Sequence, residues 1–155
     1  MSLNLNLPDE AATLRLGAAL AAGATAGRVL HLRGDLGAGK TTLVRGLLGA
    51  LGHTGRVKSP TYTLVEVYML SSLNFYHFDF YRFKDRSEWL DSGFRDYFNP
   101  QSVCVVEWPE CAGDLPAPDL DISLDFLGEA RRASLHASSD AGRSWLSSAQ
   151  PRLSS

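Results

Sequence analysis

Residues 29–51 run from a short apolar segment, Val29-Leu30-His31-Leu32, through Gly34-Asp35-Leu36-Gly37-Ala38-Gly39-Lys40-Thr41, into a stretch with Leu43, Val44, Leu47, Leu48 and Leu51 at helical spacing. The middle piece is a complete G-x-x-x-x-G-K-[ST] phosphate loop, set between a predicted strand and a predicted helix as that loop requires. A polyphosphate carries several negative charges, so its site needs backbone N–H groups aimed at one point. Gly34, Gly37 and Gly39 permit that side-chain-free approach. Lys40 supplies a point charge for the terminal phosphates, Thr41 a hydroxyl for Mg²⁺, and the helix that starts there directs its positive dipole end at the same place. Asp35, Leu36, Ala38 and Thr42 complete the expected cradle.

This unit belongs to an α/β fold. We expect a three-layer architecture of the P-loop NTPase type, with a mainly parallel central sheet that carries strands at 29–32 and 103–106, extended by an antiparallel hairpin near 62–80. Acids after Pro8 precede a run of helix formers, which predicts a helix over 11–22. Tyr62 to Tyr68 and Leu73 to Phe80 are rich in aromatic and β-branched residues on either side of a short connection. Residues 88–90 suggest a short helix with Ser87 as its cap. Val103-Cys104-Val105-Val106 is continuously apolar, as in a central strand covered on both faces. Residues 122–126 and 133–137 alternate, as in strands with one wet face.

At 155 residues the chain is sized for one domain, which we place at 1–138, followed by a Ser-rich tail at 139–155, frayed or helical for at most about one turn. The 45% hydrophobic and 21% charged content is ordinary for a soluble globular protein, and no apolar run approaches the length of a membrane span. The N-terminus lacks a basic stretch followed by an apolar core, which argues against export and for the cytoplasm. Cys104 and Cys111 are too few for a disulfide framework or an all-cysteine zinc site, and we expect both reduced. A net charge of −2 gives no general attraction to nucleic acid, so any RNA role is local or acts through partners, and neither DNA nor membrane is expected.

A phosphate loop binds nucleotide; hydrolysis also needs an acid near the metal and a group to orient water. Glu107 follows the apolar run 103–106 and would emerge at the carboxyl edge of a parallel sheet, where open α/β sheets bind ligands. Asp79 ends the similar run Phe75-Tyr76-His77-Phe78, and it could hold Mg²⁺ through water or act as base. Its competing reading is an ion pair with Arg82. Lys58-Ser59-Pro60-Thr61-Tyr62-Thr63 combines a positive charge, three aliphatic hydroxyls and a stiffening proline, the parts a γ-phosphate sensor needs, though an ordinary loop entering a strand has them too. His77 on its aromatic strand reads as packing. No two His or Cys residues stand at metal-ligand spacing, so the metal expected is Mg²⁺ carried in with the nucleotide.

The phosphate loop, Lys58-Ser59-Pro60-Thr61-Tyr62-Thr63-Leu64-Val65, Tyr76-His77-Phe78-Asp79-Phe80-Tyr81-Arg82 and Val106-Glu107-Trp108-Pro109 together resemble the TsaE (YjeE) family of bacterial ATPases, in the same order over residues 9–137. The resemblance implies a slow, Mg²⁺-dependent ATPase required for threonylcarbamoyladenosine modification of tRNA, acting with TsaB and TsaD and touching tRNA through that complex. It further implies Thr41 and Glu107 as Mg²⁺ positions, Asp79 as the catalytic or metal-associated acid, Lys40 as catalytic cation, and Ser59, Pro60 and Thr61 as a switch. Family members place adenine near the N-terminal helix and a C-terminal strand, which would implicate Glu10, Thr13 and one of Arg131 or Arg132; we take Arg132. The rival reading is a small-molecule or nucleoside kinase, but the roughly twenty residues between Asp79 and Pro100 leave little space for a lid. No Asn-Lys-x-Asp guanine-reading segment is present, so adenine is the expected base.

Overall fold

The computed structural model describes residues 1–153, and Ser154 and Ser155 lie outside the described residues. Seven strands form one mixed sheet: β1 (Ser2–Leu7), β2 (Val29–Arg33), β3 (Val65–Leu70), β4 (Leu73–Asp79), β5 (Ser102–Glu107), β6 (Leu120–Leu127) and β7 (Ala130–Ala137), in the spatial order β1-β7-β6-β2-β5-β4-β3. The helices are α1 (Glu10–Ala19), α2 (Lys40–Ala50), the short α3 (Glu88–Asp91) and α4 (Asp140–Leu153). The four middle strands, β6-β2-β5-β4, run parallel, whereas β3, β7 and β1 are antiparallel to their neighbours. The expectation of a mainly parallel sheet therefore holds only for its centre. Antiparallel strands flank that centre on both sides, because the half-wet strands β6 and β7 close into a hairpin at Gly128 and β1 then adds to its free edge.

The layers on the two sheet faces are unequal. On one face, α1, the 3₁₀ turn Leu20–Gly23 that follows it, α2 and α4 bury Leu16, Leu20, Leu43, Val44, Leu47, Leu48 and Trp145 against Leu30, Leu32, Phe75, Val103 and Val105. On the other, Phe78, Phe80, Cys104 and Val106 are covered by α3 and neighbouring turns carrying Trp89, Phe94 and Phe98. Ring contacts do the work of a helix there: Phe78 and Phe98 stack at 5.1 Å, and Phe80 and Trp89 meet edge to face at 5.6 Å. The third layer of the expected sandwich is thus a thin aromatic shell. Ser87 makes no side-chain cap for α3; the Asp85 carboxylate accepts from the Ser87 amide instead, at 2.9 Å. Next to this shell the same face turns polar, with Arg33 Nε 3.1 Å from Asp121 Oδ1 and His31 buried beside them, its imidazole pushed down to about 4 chiefly by desolvation.

The 140–153 segment departs most from expectation. It is a helix of 14 residues rather than a frayed tail. Ser139 Oγ accepts from the Gly142 amide at 3.0 Å and donates to Asp119 Oδ1 at 2.7 Å, while Asp119 Oδ2 accepts from the Val29 amide, which ties the helix start to the first residue of β2. Trp145, Leu146 and Ala149 form a buried stripe, and Trp145 Nε1 donates to the Leu20 carbonyl at 2.8 Å. One indole and one cap outweigh the poor helix propensity of three serines. No described helix is long and apolar enough to cross a membrane.

Candidate functional site

The parallel centre of the sheet brings three strand ends side by side. β2 pairs with β5 and β5 with β4, with Leu32 opposite Glu107 and Glu107 opposite Asp79. The loop leaving β2 arches over this edge and enters α2 at Lys40, with Gly39 as the N-terminal cap at φ 107°. Gly34 is held at φ 149°, and a Cβ there would stand 2.6 Å from the Leu124 carbonyl oxygen, so the loop can pass β6 only as glycine. Lys40 is buried; its ammonium donates to the carbonyls of Gly34 and Asp35 and sits 4.3 Å from the centroid of the Trp108 ring. Burial lowers its pKa, and the carboxylates of Glu107 and then Asp79 pull it back up. Trp108 adopts φ 57°, a strained conformation for a bulky residue, at the turn that follows Glu107.

Glu107 and Asp79 are each only 3% exposed. Thr41 Oγ1, in the first turn of α2, donates to Glu107 Oε2 at 3.3 Å. Asp79 Oδ1 accepts from the Tyr81 amide at 2.9 Å and Oδ2 from Thr61 Oγ1 at 3.2 Å. Desolvation raises the Asp79 pKa against the Tyr81 hydrogen bond, and the Glu107 charge adds to the rise. Ser59 Oγ lies 2.9 Å from Thr61 Oγ1, and Leu64, at φ 67°, receives the Asp79 amide on its carbonyl at 3.0 Å while its own amide donates to Pro60. The 59–61 segment is therefore fastened to Asp79 by side chain and backbone. Arg82 lies over the Tyr62 ring at 4.2 Å, and no Asp79–Arg82 ion pair occurs among the described residues. A cavity of about 220 Å³ opens between the loop, Asp79, Glu107 and Trp108.

On the other side of the loop a cavity of about 150 Å³ is lined by Leu7, Glu10, Thr13, Thr42, Glu129 and Arg131 among others. Glu10 and Thr13, two of the residues expected near adenine, both line it. Arg132 does not: it is exposed, and its register partners are Asn6 on β1 and Asp125 on β6. Alternation along β7 sends its side chain to the opposite sheet face from that of Arg131, which lies over the Phe126 ring at 4.3 Å and donates to the Gly37 carbonyl at 3.3 Å. Arg131, not Arg132, lines this cavity.

His77, expected to pack among the aromatic rings, also makes a polar contact. It is fully buried, and its Nε2 lies 2.6 Å from Glu107 Oε2. The signal was present in the period of the strand, since a residue two before Asp79 must share its face. Among the described residues no group of three or more His, Cys, Asp or Glu side chains could hold a metal. The donors that do converge, the Thr41 hydroxyl and the Glu107 and Asp79 carboxylates, are hard oxygens, which suit Mg²⁺ completed by phosphate and water.

The model of the threonylcarbamoyl adenosine biosynthesis protein TsaE matches residues 7–134. The chain belongs to the TsaE family. It is 44% identical over 152 residues to a tRNA threonylcarbamoyladenosine biosynthesis protein TsaE of Haemophilus influenzae, covering 94% of this chain and 96% of that one. The TsaE of Bacillus subtilis is 43% identical over 126 residues, 81% of this chain and 77% of its own. A crystal structure of Bacillus subtilis YdiB superposes with a TM-score of 0.84 at 31% identity, covering 97% of this chain and 95% of that one. The TsaE match spans the loop, both acids and the hairpin that carries Arg131 as far as Ser134 in β7, and it stops before α4.

Proposed function

We propose that this TsaE-family chain is a Mg²⁺-dependent ATPase of P-loop NTPase type that serves threonylcarbamoyladenosine modification of tRNA in the cytoplasm, as an accessory to TsaD and TsaB. The observation that carries the ATPase reading is the meeting of the Thr41 hydroxyl with the buried Glu107 carboxylate at 3.3 Å, directly below the glycine loop and beside Asp79. The loop amides and Lys40 bind the phosphates. Thr41 and Glu107 would hold Mg²⁺, with Asp79 at or near it. When bound, the ion neutralises charge between the β- and γ-phosphates. Asp79, anchored by the Tyr81 amide and the Thr61 hydroxyl, orients or deprotonates the attacking water. The 150 Å³ cavity beside Thr13 and Arg131 receives adenine.

Because Thr61 bonds to Asp79, a γ-phosphate that drew Thr61 or Ser59 toward itself would move the whole 59–61 segment. Hydrolysis would release it. The surface offered to TsaD and TsaB then depends on the nucleotide, and by linkage those partners strengthen ATP binding by the factor that ATP strengthens theirs, typically about five- to 150-fold. The test measures ADP release from ATP with the purified chain alone and with TsaB, TsaD and tRNA added. A parallel titration uses an ATP analogue, ADP and no nucleotide. Slow turnover alone, faster turnover in the complex and tighter association with the ATP analogue are expected. No hydrolysis under any condition rejects the ATPase, and equal affinities in all three titrations reject the gating.

A further inference from the structure

We infer that His77 is the positioning residue for Glu107, fixing the carboxylate before Mg²⁺-nucleotide arrives; this rests on the Mg²⁺-ATP reading above. His77 is fully buried on β4, and the polar contact its ring makes is from Nε2 to Glu107 Oε2 at 2.6 Å, while Nδ1 has no hydrogen-bond partner among the described residues. That same Oε2 receives the Thr41 hydroxyl at 3.3 Å, so two donors from two different elements, β4 and α2, converge on one carboxylate oxygen. A buried polar ring that only filled space would be better replaced by an apolar one, since burial of an imidazole nitrogen is costly unless it is bonded. The bond it keeps goes to the acid proposed to hold the ion.

A glutamate has three side-chain torsions to order. Packing alone does not choose among rotamers that differ in where the carboxylate oxygens fall, whereas a short hydrogen bond from a strand-borne ring does. Residues that hold a metal ligand in place in this way typically change metal affinity or activity about 10–100-fold when lost. The atom that matters is Nε2, and amide side chains can distinguish it from Nδ1. Gln carries its amide nitrogen at the Nε2 position, and Asn reaches only as far as Nδ1.

The experiment therefore compares wild type with His77→Gln, His77→Asn and His77→Leu, all checked for cooperative thermal unfolding. Nucleotide affinity is measured by calorimetry without metal and as a function of Mg²⁺ concentration. His77→Gln should stay within about threefold of wild type in the Mg²⁺ concentration for half-maximal effect, and His77→Asn and His77→Leu should need about 10–100-fold more, with metal-free affinity unchanged. A His77→Leu protein with wild-type Mg²⁺ dependence, a His77→Gln protein as defective as His77→Leu, or an equal loss of metal-free affinity would overturn the positioning role. A second measurement needs no metal. The imidazole nitrogen spectrum should give an Nε2-bound proton for His77 that shifts in Glu107→Gln and is unmoved in Arg132→Ala. No such proton, or no response to Glu107→Gln, overturns the inference as well. If wild type itself showed no Mg²⁺-linked nucleotide binding, the Mg²⁺-ATP reading would fail instead, and the spectrum would still report the His77–Glu107 bond.

Discussion

The two ends of the candidate nucleotide site are built on opposite terms. At the phosphate end, Asp79 and Glu107 close strands at the covered centre of the sheet and Lys40 opens α2 beside them; all three are between 3% and 5% exposed and held by hydrogen bonds to neighbouring segments. At the base end, Glu10, Glu129 and Arg131 come from the first turn of α1, the β6–β7 turn and an outlying strand, and all three retain solvent exposure. Charges at the first end act in low dielectric, where an interaction is strong and a misplaced group costly; those at the second are softened by water. The difference teaches that chemistry and adhesion are separable here. Replacements at the phosphate end should act on turnover and on the ion, and replacements at the base end on nucleotide affinity alone.

The largest effect should come from Lys40→Ala. The substitution removes the buried cation that the loop contributes, and the loss of one preorganised group aimed at developing charge costs on the order of 10²–10³-fold in turnover. ATP affinity should fall too. Steady-state hydrolysis and equilibrium nucleotide binding measure the two, and wild-type values in both would erase the distinction between the ends. Glu107→Ala and Asp79→Ala come next, each lowering turnover by about 10–100-fold. They should differ in kind. Glu107→Ala should move the Mg²⁺ concentration for half-maximal rate strongly upward, because it removes the carboxylate that faces Thr41. Asp79→Ala should move that concentration less and chiefly lower the maximal rate. Metal titrations of both variants decide, and the reverse pattern would exchange the two roles while keeping the site.

What the sequence made legible follows the same division. The loop is contiguous, so its chemistry lies open in eight successive residues. Glu107 and Asp79 are legible because each ends an apolar strand, and parallel strands deliver their carboxyl ends to one edge. Legibility fails where a contact depends on a partner far along the chain. β1 alternates in Leu3, Leu5 and Leu7, yet its place is set by pairing with β7, as in Leu3 opposite Leu135, and nothing local announces that. The propensities of 140–153 are weak, and the helix exists because Trp145 finds a site against Leu20. His77 looked like one more ring among Phe75, Tyr76 and Phe78. Only the β4–β5 register places it against Glu107.

The smallest effect is the most discriminating for the base end. Arg131 and Arg132 are adjacent in sequence, and one step along a strand inverts the side chain. Arg131 shares the parity of Ala133, Leu135 and Ala137, which are buried toward the helices, and this brings its guanidinium to the Gly37 carbonyl and over Phe126. Arg132 points to the polar, uncovered side of the hairpin. Arg131→Ala should therefore weaken ATP and ADP alike by about 3–10-fold, the worth of one partly exposed hydrogen bond and one cation–π contact. Maximal turnover and Mg²⁺ dependence should stay at wild type, since the hydrogen bonds that hold Lys40, Asp79 and Glu107 do not involve Arg131. Arg132→Ala should change none of these. Equilibrium binding of both nucleotides to both variants is the check. A loss confined to ATP would tie Arg131 to the phosphate end and dissolve the separation between adhesion and chemistry. A loss on Arg132→Ala instead would require β7 to slip by one residue against β1 and β6, which would turn Ala133 and Leu135 out of the core. The burial of those two residues makes that slip the costlier arrangement, and so assigns the contact to Arg131.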